Sequence, residues 1–400
     1  MKWVTAVSEH RFLKYAVAEC ATEIKSALGD QSPALAVVFV SAHHAARYEE
    51  LPALVRDLIG ECVLVGCSGG GVIGAGREVE NRPGFSIAVA VLPETEVTAF
   101  HIDNSDLPDG DAPPHTWEDL VGVTATDDPQ FLLLSDPFSV QGEHLLMGLD
   151  YAFPRSAKIG GLASGGQQPG SNALYFGNRT YSSGAVGIAL HGNVAVDTIV
   201  AQGCRPIGGR MQITESERNM LIELDGRSTF DVLREMFAGM SERDQRLAQH
   251  SLFLGVVMDE FNEAPKLGDF LIRNIIGMDA RRGALAVGEY LKEGQIVQFH
   301  LRDAETSSQD LNDMLTQYSS DGVQTSGSGA LLFQCLGRGE YLYGRPDHDT
   351  DMFRDKVGDI PLAGFFCNGE IGQVSGSTYL HGYTSSFGIF RPKTSPAVGD

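Results

Sequence analysis

The chemistry in this sequence gathers at three glycine-rich turns, each following an apolar run of strand length: Gly66-Cys67-Ser68-Gly69-Gly70-Gly71, Ala163-Ser164-Gly165-Gly166 and Cys367-Asn368-Gly369-Glu370. Gly66 to Gly70 spells G-x-S-x-G, which in a nucleophile elbow exposes a serine on a strained strand-to-helix turn. Gly69 to Gly74 spells G-x-G-x-x-G, which in a dinucleotide fold cradles pyrophosphate at a helix start. Both patterns need a helix next. Gly76, Asn81 and Pro83-Gly84 leave no room for one, so the expectation is a tight strand end with Ser68 on it. Cys67 becomes a nucleophile only if a nearby histidine lowers its pKa. Spacing aligns Cys67 with Ala163 in the second turn, so the turn does not require a thiol and a structural cysteine is expected.

The third turn has the densest polar surroundings. Arg338, in Cys335-Leu336-Gly337-Arg338-Gly339-Glu340, ends one strand and Glu370 follows the next, with His381-Gly382-Tyr383-Thr384 leading into the last. Successive strand ends of an α/β sheet share a rim where ligand sites form. A guanidinium fork for a carboxylate and a carboxylate for an ammonium would together clamp a zwitterion. A simple ion pair between Arg338 and Glu370 is the competing reading, and the two stay open. The ligand-binding set is Arg338, Glu370, Asn368, Gly369, Cys67, Ser68, Ser164, His381, Tyr383 and Thr384. No catalytic residue and no cofactor is assigned. No metal is expected, because adjacent His43-His44 point apart and no H-x-x-x-H with a third ligand occurs.

The elements that position these turns repeat. Leu13, Ala16, Val17, Cys20, Ile24, Ala27 and Leu28 give a helical period ending at Gly29. Ala34–Ser41 is a strand, Leu51–Ile59 a short helix, Cys62–Val65 a strand into the first turn, and Phe85–Leu92 a returning strand. The order recurs as Phe131–Leu134, Glu143–Ala152, Lys158–Leu162 and Ala185–Leu190. It recurs again as Ala330–Phe333, a helix near Met352–Val357, Leu362–Phe366 and Gly388–Phe390. Val38 to Cys67, Leu133 to Ala163 and Phe333 to Cys367 span 29, 30 and 34 residues, so the register holds. Between the second and third repeats, Ser228 is expected to cap a helix through Phe237, with Asp231 at its positive end. Leu252–Val257, Phe270–Ile276, Leu285–Val287 and Ile296–Leu301 read as an antiparallel set, followed by a helix over Gln309–Tyr318. The fold class is mixed α+β, with two domains, 1–201 and 202–400, built from β-α-β-β repeats with mixed sheets.

Composition sets the outer limits. The 400 residues are 42% hydrophobic and 20% charged, as in folded globular chains. A net charge of −22 repels phosphate backbones and acidic headgroups, so neither nucleic acid nor a membrane surface is an expected partner. The longest apolar runs fall far short of a membrane helix. The N-terminus lacks a signal-peptide pattern and the six cysteines form no C-x-x-C pair, so a cytoplasmic chain with reduced thiols is expected.

Val65-Gly66-Cys67-Ser68, Gly203-Cys204-Arg205-Pro206-Ile207-Gly208, Leu224-Asp225-Gly226, Gln334-Cys335-Leu336-Gly337-Arg338 and Leu362 to Glu370 together resemble the FIST family, whose N- and C-terminal regions occur in tandem. The resemblance implies a sensory protein of signal transduction that binds a small ligand, an amino acid or small carboxylate. With no F-box-like segment before residue 30 and no output segment after residue 390, it also implies a separate signalling protein in trans. Two other readings remain: a cysteine- or serine-dependent hydrolase or transferase using Cys67, Ser68 or Cys367 with His381, and a protein-docking adaptor.

Overall fold

The computed structural model describes residues 1–259, 262 and 264–393. The chain forms two compact units. The first comprises Met1–Val200, Asn312–Leu380 and the segment from Thr384 onward; the second comprises Ala201–Leu311 with His381–Tyr383. The third repeat therefore folds with the first two, and the C-terminal domain expected over 202–400 divides. What the sequence presents as a domain boundary near 202 is the start of an insertion within the third repeat.

The first unit contains three six-stranded mixed sheets built on one plan. In the first sheet Leu35–Ser41 is central, parallel to Val63–Gly69 and antiparallel to Phe85–Val91. Gln130–Ser135 has the same relation to Lys158–Leu162 and Ala185–Gly192. So does Gly329–Cys335 to Leu362–Cys367 and Ser385–Arg391. An N-terminal strand extends each returning strand, Lys2–Ser8, Thr95–Ile102 and Ala195–Ala201 in turn. The other edge is completed by exchange: each turn runs into a β-hairpin that pairs with the sheet of a different repeat. Gly71–Glu80 joins the third sheet, Leu174–Tyr181 the first, and Glu370–His381 the second.

Register fixes the equivalences more finely than spacing does. Val38, Leu133 and Leu332 face Gly66, Gly160 and Gly364 across the parallel pairs. A Cβ on those glycines would lie 2.1, 1.8 and 1.9 Å from the facing carbonyl oxygens, so the close approach of the strands demands glycine three times over. Counting onward, Cys67 corresponds to Gly161 and Phe365, whereas Ala163 and Cys367 both correspond to Gly69. The alignment of Cys67 with Ala163 and Cys367 is thus displaced by two residues.

Alternation along these strands sends one face inward to a core shared by all three sheets, including Phe39, Cys67, Leu132, Ile159, Phe333, Phe365 and Cys367. Phe39 stacks on Phe365 with centroids 5.0 Å apart, and Phe333 meets Phe365 edge-on at 6.0 Å. Outward faces are covered by helices: Leu13–Leu28 and Leu51–Ile59 on the first sheet, Pro114–Val121 and Gly142–Ala152 on the second. The helix predicted near Met352–Val357 spans His348–Val357.

In the second unit Cys204–Glu217 pairs on one side with Ile296–Arg302 and on the other with Met220–Leu224. Leu252–Val257, Phe270–Asp279 and Ala284–Val287 complete an antiparallel circuit around a core of Leu254, Val256, Leu285, Val297 and Phe299. Closing the sheet on itself removes its free edges. Thr229–Gly239 is the helix expected after Ser228, but Ser228 makes no capping hydrogen bond and Asp231 instead pairs with Arg234 at 2.8 Å.

Candidate functional site

The three glycine-rich turns meet. Ser164 N donates to Ser68 O at 3.1 Å, and Asn368 N donates to Leu162 O at 3.1 Å. The last link runs through a side chain: Gly70 N donates to Ser164 Oγ at 2.9 Å, and that hydroxyl donates to Phe366 O. Leu162 N also donates to Gly369 O at 2.8 Å. Ser68, Leu162 and Phe366 are equivalent positions, so their carbonyls form a ring that ties one repeat to the next. Ser164 and Gly369, expected to contact ligand, are joints of this ring. Asn368 is exposed above it.

Beside the ring, at the C-terminal ends of the first sheet's parallel strands, lies the best-formed polar site. Ser68 Oγ accepts from Ala173 N at 2.9 Å and donates to Asn172 Oδ1 at 3.4 Å. Gly166 N donates to the same Asn172 oxygen at 2.8 Å, and Asn172 Nδ2 donates to the buried Asp136 at 2.9 Å. Asp136 also takes the Ser139 hydroxyl at 2.7 Å. The chain segment Ala42–Glu50 contributes His44 and Tyr48, its two buried residues. Tyr48 Oη and Ser68 Oγ converge on Gly165, where a Cβ would lie 2.8 and 2.6 Å from them. Tyr175, opposite Gly66 on the exchanged hairpin, is also fully buried.

Tyr48 Oη and Tyr175 Oη here, and His44 Nε2 on the segment that carries Tyr48, are buried without a hydrogen-bond partner. Each such atom ordinarily costs about 1–3 kcal/mol, so two of them together signal a use. Tyr48, Tyr175 and His44 are all uncharged near pH 7. Burial pushes the Tyr48 phenol up to about 12, the adjacent Ser68 hydroxyl opposing, and burial followed by Tyr48 and Cys67 raises Tyr175. Burial, then His43 and His10, drives His44 down to about 4.

Cys67 and Cys367 lie in the apolar core, where burial raises both thiols well above their ordinary value. Neither environment stabilises a thiolate. Ser68 has an amide and a backbone N–H as its hydrogen-bond partners rather than a base, so the geometry of an activated serine is not built.

Arg338 and Glu370, the anticipated clamp, both have partners within the protein. Arg338 is fully buried, donating to Asp349 from Nε at 2.9 Å and to Tyr343 Oη at 2.5 Å. Burial alone would raise Asp349, but Arg338 together with His348 and Ser385 holds it well below the usual carboxylate range. Glu370 accepts from Thr384 N at 3.1 Å and Thr384 Oγ1 at 2.8 Å. Arg338 is thus occupied by a residue of the following helix, a partner that local spacing did not suggest. Tyr383 belongs to the second unit, its ring 4.2 Å from Phe253 with the Arg302 guanidinium above it at 4.7 Å; His381, also there, is buried. Among the described residues no group of three or more His, Cys, Asp or Glu side chains is placed to hold a metal ion.

Sequence reasoning missed Tyr48, His44, Asn172, Asp136 and Tyr175. Asn172 and Asn368 open equivalent hairpins, each three residues before the one that faces Gly66 or Gly160, but they lie 12 and 4 residues beyond Gly160 and Gly364, so an alignment of the repeats does not bring them together. Tyr48 and His44 carry no motif.

Three exchanged mixed sheets with an inserted antiparallel circuit define a two-unit α/β protein whose glycine-rich turns face a buried polar site. The chain belongs to the FIST family: residues 34–227 match the FIST N domain and residues 229–373 the FIST C domain. FIST domains are generally regarded as sensory domains in signalling. An uncharacterized protein of Mycobacterium tuberculosis is 35% identical over 98% of this chain and 100% of its own length. A second, from Mycobacterium bovis, is 33% identical over 94% of this chain and 95% of its own. An F-box/LRR-repeat protein of Arabidopsis thaliana is 24% identical, covering 44% of this chain and 36% of its own. Among solved structures, a cyanuric acid hydrolase from A. caulinodans aligns over 98% of this chain and 100% of its own at 8% identity, with a TM-score of 0.35, too distant to support an inference. Among the described residues no helix is long and apolar enough to cross a membrane.

Proposed function

We propose that this protein is a cytoplasmic sensor that binds a small uncharged molecule rich in hydrogen-bonding groups beside Ser68, beneath the segment Ala42–Glu50. The observation that carries the reading is the pair of buried, unpartnered hydroxyls on Tyr48 and Tyr175 next to the Ser68–Asn172–Asp136 chain, with His44 on the same segment as Tyr48. Binding satisfies those atoms, and the free energy of leaving them unsatisfied becomes ligand affinity. A neutral ligand fits better than the anticipated amino acid or carboxylate, because the site offers hydroxyls and an uncharged imidazole, its one carboxylate, Asp136, is taken up by Asn172 and Ser139, and Arg338 is held by Asp349. Output passes to a separate signalling protein; this part rests on the family's sensory role.

The test is a thermal-shift panel of neutral amides, polyols and heterocycles beside amino acids and carboxylates, run on the native chain and on Tyr48→Phe. A ligand that binds only the folded protein raises its melting temperature by mass action. Neutral compounds should stabilise the native chain and lose that effect in Tyr48→Phe. Amino acids or carboxylates that stabilise both proteins equally would place the ligand elsewhere.

A further inference from the structure

The second unit has a recess unrelated to the site beside Ser68. Cys204–Glu217 pairs with Ile296–Arg302 as far as Ile207 opposite Phe299, then resumes at Met211 opposite Val297. Gly208, Gly209 and Arg210 therefore face Gln298 alone, and the strand bulges outward. Gln298 Nε2 donates to Gly208 O at 2.8 Å, fastening the bulge. Between the bulge and the helix Thr229–Gly239 lies a cavity of about 500 Å³. That is within the range of small-molecule pockets, roughly 300–1,000 Å³.

Its apolar lining is Ile207, Met211, Val232, Met236 and Met240, all half-buried. Three thioethers on unbranched, rotatable side chains adapt to the shape of an alkyl or aryl body. The charged residues of the lining are one arginine, Arg227, and two carboxylates, Glu235 and Asp244. Arg227 pairs with Glu235 at 2.5 Å, and Arg205 is shared between Asp244 at 2.5 Å and Asp303 at 3.1 Å. The lining itself holds one more carboxylate than cation, on a chain whose net charge is −22. An anionic headgroup is repelled there and a cationic one attracted.

We propose that this recess is a second ligand site, for an apolar molecule carrying one positive charge, such as an alkylammonium. The apolar body lies on the methionines and the ammonium sits among Glu235 and Asp244. This goes beyond the reading of the Ser68 site and stands independently of it.

The test uses the full chain labelled with ¹³C at its methionine methyl groups, titrated at neutral pH with n-octylammonium, n-octanol and n-octanoate. Met211, Met236 and Met240 signals, assigned by single Met→Leu changes, should shift saturably with octylammonium, and octanoate should bind at least tenfold more weakly. Gly209→Trp fills the recess; a Cβ there meets nothing within 4 Å, so the fold tolerates it, and octylammonium binding should be lost. Glu235→Gln should weaken octylammonium several-fold and leave octanol unchanged. The proposal is overturned if the three methionines do not respond, if octanoate binds as tightly as octylammonium, or if Gly209→Trp binds like the native chain.

Discussion

Glu78 gives the sharpest stability prediction. It lies on the hairpin that the first repeat lends to the third sheet, where its Oε1 accepts from Asp349 N at 2.9 Å and Thr350 N at 3.0 Å. Gln334 Nε2 approaches its other oxygen at 3.4 Å. Asp347 accepts from its backbone N–H at 2.6 Å, and Glu80, Arg338, Tyr343 and His348 complete the surroundings. Burial, then the charge of Asp349, pushes the Glu78 carboxyl up to about 8, against the backbone hydrogen bond from Thr350. A carboxyl whose folded pKa exceeds its unfolded value contributes fully below about 4.5, and that contribution is lost as pH rises through about 8. Each pH unit in this window costs about 1.4 kcal/mol. His44 and His300 are both driven down to about 4, principally by burial, so they oppose the trend only below their unfolded value near 6.5. The clean window is therefore pH 6.5 to 8, across which Glu78 should remove on the order of 2 kcal/mol. The two tryptophans, Trp3 and Trp117, both lie buried in the first unit, so urea unfolding followed by tryptophan fluorescence reports on that unit. Glu78→Gln keeps the acceptor oxygen and removes the titration, so its stability should be flatter across the window. Parallel lines for the native protein and Glu78→Gln would refute the reasoning.

Arg338→Met strands Asp349 without its cation and should cost about 3–5 kcal/mol in urea unfolding, with part recovered on adding Asp349→Leu, since an apolar pair is easier to bury than a lone charge. Gly364→Ala places a methyl 1.9 Å from Leu332 O and should destabilise the first unit by at least about 2 kcal/mol in the same assay, because backbone cannot give way as a side chain can. Tyr48→Phe deletes a buried hydroxyl that has no partner, so the ligand-free protein should gain about 1 kcal/mol on the same unfolding curve.

Much of the scaffold was legible because it depends on local pattern. Apolar runs, turn glycines and the helical period from Leu13 to Leu28 sufficed for the mixed α/β class, the three repeats and the antiparallel set of the insertion. Local pattern also disposed of the two glycine motifs: Gly71–Gly74 is a strand where either motif needed a helix. Hairpin exchange was not legible. The segments Gly71–Glu80, Leu174–Tyr181 and Glu370–His381 find their partners in other repeats, and no local periodicity says which sheet edge will receive a strand.

The same division governs the site. Ser68, Ser164, Asn368 and Gly369 stand out in sequence because tight turns need small and polar residues, and these four do sit at the junction of the repeats. Their roles came from tertiary hydrogen bonds: Ser164 closes a ring between turns about 95 and 200 residues away, and Ser68 reaches Asn172, 104 residues on. Arg338 shows the limit from the other side. Sequence marks it as a cation at a strand end, but its charge is satisfied by Asp349, because a fully buried guanidinium must take the carboxylate that packing brings to it. Composition and local pattern thus determined the elements, their repetition and the glycines where strands meet. Packing alone decided which polar groups are satisfied within the protein, and which, those on Tyr48, Tyr175 and His44 among them, are left without a partner.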